Sequence, residues 1–172
     1  WRAVANGERI GGAIATNEEV ILAKPRHGTI AATKMLFHIA KSNQSLTRET
    51  FKRISAPEAA ADLLNLSKQR FKIVIISDFQ DFPHDWEEIL ERLARKNSLD
   101  LVHIFDPIEE TLPPPGRYTV SDGKENAIFS SRDSVLSKEY EKAFNQKKSR
   151  LSQLAKLSSV IYRNISTDTQ SI

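Results

Sequence analysis

No cysteine occurs among the 172 residues, so disulfides and thiolate zinc sites are excluded and a reducing, cytoplasmic setting is expected. Glycine is scarce, six residues at positions 7, 11, 12, 28, 116 and 123, a scatter that rules out a GxGxxG loop and a P-loop. No apolar run approaches the ~18 residues of a membrane span, and no signal-peptide pattern is present. Neither charge sign dominates: 25 basic side chains meet 22 acidic ones for a net charge of +3. The bases are scattered, the densest cluster being Lys147, Lys148 and Arg150. A nucleic-acid footprint would be a concentrated patch interleaved with aromatics, so nucleic acid is not an expected partner. Met35, inside a helical pattern, is the one methionine, and Trp1 stands first. The chain is therefore expected to be an excised piece of something longer.

The four histidines, at 27, 38, 84 and 103, show no metal-ligand spacing, and His38 and His103 read as satisfied, partly buried side chains. No GxSxG elbow occurs. The sequence holds no self-contained catalytic constellation.

What is there is an α/β pattern. Ile10 to Thr16 and Val20 to Ala23 are short apolar runs around a polar turn, which predicts a hairpin whose second strand closes at Pro25 and lies at an edge. Ile30 to Ser42 reads as helix, residues 46 to 54 as a helical turn, and Glu58 to Lys68, behind Pro57, as a further helix. Phe71 to Ser77 carries an apolar run unbroken by alternation, the pattern of a central parallel strand covered on both faces. Trp86, Ile89, Leu90 and Leu93 then recur at helical spacing. Leu99 to Phe105 is a second buried strand, completing a βαβ unit. After the stiff Leu112-Pro-Pro-Pro-Gly116 connector, Tyr118 to Val120 and Ala127 to Phe129 flank a hairpin tip. Ser131 or Asp133 caps a long helix with the stripe Leu136, Tyr140, Phe144, Leu151, Leu154, Ala155, and Val160 to Ile165 is the last strand.

Two of these strands end in acids. Ligands of open α/β sheets gather outside the carboxyl ends of the strands. Asp78 lies at one such end with Asp81 close behind, and Asp106 lies at the next. A metal or phosphate site is one reading; helix caps for Asp78 and Asp81 and an Asp-Pro turn for Asp106 are the plainer one.

The segments GERIGGAIATNEEV, VIISDFQDFPHDWEEILERLARKNSLDLVHIFDPIEETLPPPGRYTVSDG and VIYRNISTD together resemble the family of domain of unknown function fifty-eight, over about Asn6 to Asp168. Members of that family look like von Willebrand factor A domains and are commonly encoded beside MoxR-type AAA+ ATPases. The resemblance implies a single partial domain over residues 1–172: a mostly parallel, Rossmann-like sheet flanked by helices, lacking its first strand and helix. It also implies a metal-ion-dependent adhesion site in which an Asp-x-Ser-x-Ser motif, a threonine and a late strand-end aspartate hold Mg²⁺. Asp78 matches the last of these, and Ser55, where the family often has a Gly-Thr-Asp-like loop, is the loose match for the hydroxyl ligand. No Asp-x-Ser-x-Ser occurs in the chain, so Mg²⁺ is expected as a cofactor of the full-length protein and not of this segment.

The function expected from the resemblance is a non-enzymatic protein-interaction module, an adaptor working with a MoxR-type AAA+ ATPase on a protein client in complex maturation or assembly. The alternative is a metal-dependent phosphoesterase using strand-end aspartates. A response-regulator phosphoacceptor is disfavoured by the lack of its acidic pair and late lysine. Loss of a central strand would leave unpaired strand edges, so self-association through those edges is also expected, with no direct membrane contact.

Overall fold

The computed structural model describes residues 1–16, 19–45, 70–79, 84–121, 126–157 and 159–168. The chain divides into two compact units, residues 1–68 and 69–172.

In the first unit a short helix α1 (Arg2–Ala5) leads into strands β1 (Arg9–Ala15) and β2 (Val20–His27), followed by helix α2 (Thr29–Gln44). The two strands form the expected antiparallel hairpin. Thr16 begins its turn, its hydroxyl donating to the Glu19 carbonyl at 2.9 Å. The strand does not close at Pro25, as the sequence suggests, but runs on to His27. Its register explains why: Ile10 faces Arg26 and Gly12 faces Ala23, so Lys24 and Pro25 together oppose Gly11 in a bulge. A bulge residue owes the ladder no N–H, so proline fits there. Gly11 is needed opposite, because a Cβ would come within 2.5 Å of the Ala23 carbonyl oxygen and 2.6 Å of the Pro25 nitrogen.

The second unit holds a three-stranded parallel sheet of β3 (Lys72–Ser77), β4 (Ser98–Phe105) and β7 (Val160–Ser166), in the order β3-β4-β7. Helix α3 (His84–Ala94) links β3 to β4 as a βαβ unit. A short helix α4 (Pro107–Glu110), the antiparallel hairpin β5 (Arg117–Ser121) and β6 (Asn126–Ser130), and the long helix α5 (Ser134–Leu154) precede β7. The fold is thus α/β with a parallel sheet flanked by helices. Asp133 caps α5, accepting from the amides of Val135 and Leu136. Ser131 serves the preceding loop instead. Its hydroxyl donates to the Pro114 carbonyl at 2.8 Å and accepts from the Gly116 amide at 2.9 Å, clamping the proline-rich connector to the end of β6. Asn97 joins α3 to β3, donating to the Leu93 carbonyl at the helix end and accepting from the Phe71 amide where the strand begins.

One sheet face carries the core. Ile73, Leu99, Leu101 and Val160 on the strands are buried with Leu90 and Leu93 of α3 and Phe144, Leu151 and Leu154 of α5. The expectation that β3 is a central strand covered on both faces is corrected here. In the described sheet β4 is central and β3 is a border strand. Val74 and Ile76 of β3 point to the second face and remain 52% and 69% exposed. An unbroken apolar run requires two apolar faces; it does not specify what covers the second.

Candidate functional site

The carboxyl ends of β3, β4 and β7 form one rim, and the residues with chemistry gather along it. Asp78 follows the last residue of β3, the strand end expected from the sequence, and is exposed. The next residue, Phe79, takes a left-handed conformation at φ 47°, which costs a non-glycine residue ~1 to 3 kcal/mol, yet its ring is 2% exposed. Its amide donates to the Ser77 hydroxyl at 3.0 Å. Burying the ring offsets the backbone strain and pins the turn that presents Asp78. Ser55, the other sequence-predicted ligand, lies outside the described residues, as does Asp81.

Asp106, at the end of β4, is an N-cap. One carboxylate oxygen accepts from the Ile108 amide at 2.9 Å, and the Asp106 amide donates to the Glu109 carboxylate at 3.0 Å, closing a capping box around Pro107. The other oxygen receives the Thr167 hydroxyl from the β7 end at 3.5 Å. Asp106 thus has a structural role, as a helix cap where the sequence suggested an Asp-Pro turn.

Lys147 of α5 reaches into this rim, a role no short-range pattern announces. Its ammonium donates to the backbone carbonyl of Asp78 at 3.1 Å and pairs with Glu109 at 3.5 Å. Lys148 pairs with Glu110 at 3.0 Å and Arg150 with Glu87 at 2.5 Å. The densest basic cluster of the sequence is thus an ion-paired seam tying α5 to α3 and α4. A cavity of about 560 Å³ opens beside it, lined by Glu109, Tyr140, Phe144, Lys147 and Arg150 among others.

Beneath the rim His103 is fully buried, its ring centroid 5.6 to 6.3 Å from those of Phe79, Phe105, Phe144 and Tyr162. Its Nδ1 lies 3.0 Å from the Tyr162 hydroxyl, while Nε2 is buried without a hydrogen-bond partner. The histidine is thus an interior side chain, buried more completely than the sequence suggests and satisfied at one nitrogen only. Burial lowers its pKa, with Lys147 acting in the same direction and Glu109 and Asp78 opposing. Burial also pushes the Tyr162 phenol up to about 12.

A family model described as protein of unknown function DUF58 matches residues 1–150. The chain belongs to that family. No curated protein and no solved structure matches it. The DUF58 match spans both units and takes in β3, Asp78 and all of the ion-paired seam on α5.

Of the two residues expected from the sequence as metal ligands, Asp78 is the one described, and an exposed carboxylate by itself is a single potential oxygen ligand. Mg²⁺ takes octahedral oxygen ligation. Among the described residues no three His, Asp or Glu side chains converge. Asp78 offers one carboxylate, and further oxygens would come from groups outside the described residues, Ser55 being the candidate in this chain.

Proposed function

We propose that this DUF58 chain is a protein-interaction module of von Willebrand factor A-like type, an adaptor that works with a MoxR-type AAA+ ATPase on a protein client. The observation that carries the reading is the presentation of Asp78: an exposed carboxylate at the carboxyl end of a parallel strand, set on a turn anchored by the buried Phe79. A rigidly held strand-end carboxylate is suited to contact a partner directly or through a hard cation. When bound in the full-length protein, Mg²⁺ would supply a bridging charge, with Asp78 and Ser55 as this chain's ligands toward it. The family membership and the resemblance to von Willebrand factor A domains support the same reading.

The test is capture of a MoxR-type ATPase from source-cell extract by the full-length protein with Mg²⁺ present, wild type against Asp78→Ala. Recovery with wild type and its loss with the variant is the expected outcome. Capture of no AAA+ ATPase, or equal capture by both proteins, removes the reading. Turnover of a generic phosphoester with Mg²⁺ or Mn²⁺, abolished by Asp78→Ala, would establish the phosphoesterase instead.

A further inference from the structure

His103 holds a titratable ring in a closed aromatic setting beneath the turn that presents Asp78. The imidazole is 0% exposed, with the rings of Phe79, Phe105, Phe144 and Tyr162 around it. Nδ1 meets the Tyr162 hydroxyl at 3.0 Å, so Nε2, on the other side of the ring, points away from Tyr162. Among the described residues Nε2 has no hydrogen-bond partner. A neutral ring tolerates this with one lone pair unmade, whereas an imidazolium must place an N–H and a charge there. The groups facing the ring do not offset that loss. Lys147 and Lys148 of α5 oppose a cation, and although Asp78 after β3 and Glu109 of α4 favour one, Glu109 is already paired with Lys147. The Tyr162 phenol of β7 stays neutral below pH 10 and adds no charge.

We propose that protonation of His103 releases the Phe79 ring, and with it the turn that fixes Asp78, while the rest of the parallel-sheet unit stays folded. Phe79 is the part of the enclosure that yields first. Phe105, Phe144 and Tyr162 stand on β4, α5 and β7, so each is held by the ladder or helix that carries it. Phe79 stands on the turn after β3, its amide donating to the Ser77 hydroxyl. Its backbone at φ 47° is held there against strain by the burial of the ring, so withdrawal of the ring relieves the strain and opens a path for water to Nε2. Lys147 acts in the same sense. Its ammonium donates to the Asp78 carbonyl, and an imidazolium repels it, so one protonation loosens two restraints on the turn. The device rests on the reading of Asp78 as the contact residue and makes its presentation pH-sensitive: fixed near neutrality, released in acid.

Amide hydrogen exchange measured by NMR on the chain alone, from neutral pH down through the His103 titration, tests this. The protection factor of the Phe79 amide is expected to lie below that of Leu101 at the centre of the sheet. It is expected to fall by up to about tenfold per pH unit below pH 6.5, until His103 titrates in the closed form. In His103→Phe, or in His103→Leu if the larger ring does not fold, Phe79 protection is expected to stay flat over the same range. Asp78→Asn is expected to keep the wild-type dependence, because the sensor is the imidazole and not the carboxylate. Phe79 protection that ignores pH in the folded wild-type chain overturns the proposal. So does a dependence that survives removal of the imidazole, or one that disappears in Asp78→Asn. Equal protection of Phe79 and Leu101 makes the opening global and overturns it as well. The exchange needs no partner, so its failure leaves the Asp78 reading to the capture experiment, and equal capture by wild type and Asp78→Ala removes that reading without touching the exchange result.

Discussion

At the scale of single residues, His103 links the rim to the stability of the fold. If the Tyr162 hydroxyl donated to Nδ1, a buried N–H would be left at Nε2 with no acceptor. The tautomer that costs less has Nδ1–H donating to the Tyr162 oxygen and leaves only a lone pair unmade at Nε2. Protonation would create the orphan N–H together with a buried charge, facing Lys147 and Lys148 of α5 as well as Glu109 and Asp78. The folded pKa therefore lies below the ordinary 6.5, and the folded chain binds fewer protons than the unfolded one across that interval. The contribution is full above pH 6.5 and is lost as pH falls from there through the lowered folded value. Urea unfolding midpoints are expected to drop below pH 6.5 and to drop less in His103→Phe, which fits among the same rings. Tyr162 acts at the other end of the scale: its neutral form stabilises the fold below pH 10, and that contribution is lost as pH rises through about 12. Phe79→Ala is expected to cost about 3 kcal/mol, since the lost ring outweighs any relief of its left-handed backbone. Thermal denaturation measures it.

Among the elements, the long helix and the bulged hairpin show how far local patterns reach. Asp133 and Ser131 are equally good N-cap types in the sequence. Only the fold gives Ser131 the Pro114 carbonyl and the Gly116 amide, leaving Asp133 to the helix. Asp133→Ala is expected to destabilise the chain by about 1 kcal/mol, and Asp133→Asn by much less, in chemical denaturation. In the hairpin, Pro25 looks like a strand terminator until the two-against-one register over Gly11 is known. Gly11→Ala forces a Cβ against backbone atoms that cannot swing aside, so a loss of about 1 to 3 kcal/mol is expected, with the chemical-shift changes centred on β1 and β2. Helix α3 was legible outright: Leu90 and Leu93, apolar at helical spacing, are 1% and 0% exposed. The seam of α5 was not, because Glu87, Glu109 and Glu110 lie 38 to 63 residues from their basic partners.

For the whole molecule, the core is unevenly shared. Of the buried apolar residues among those described, all but Ala32 fall within residues 69–172. A segment of residues 69–172 is expected to unfold cooperatively on its own. Residues 1–68, whose described part is a hairpin with two helices and almost no buried apolar core, are expected not to, because a two-stranded sheet without further cover is marginal. Far-UV circular dichroism melts of the two segments test both statements. The α/β class, the hairpin, the βαβ unit and the position of Asp78 at a strand end were determined by the sequence alone, because apolar periodicity and turn residues act over a few positions of chain. Tertiary structure alone decided that β4 and not β3 is central, that Lys147 meets the Asp78 carbonyl, that Nε2 of His103 is left without a partner, and that Val74 and Ile76 face outward with Ile161 and Ile165. Each of these depends on which segments distant in sequence become neighbours, and a one-dimensional pattern encodes the faces of an element without naming what lies against them.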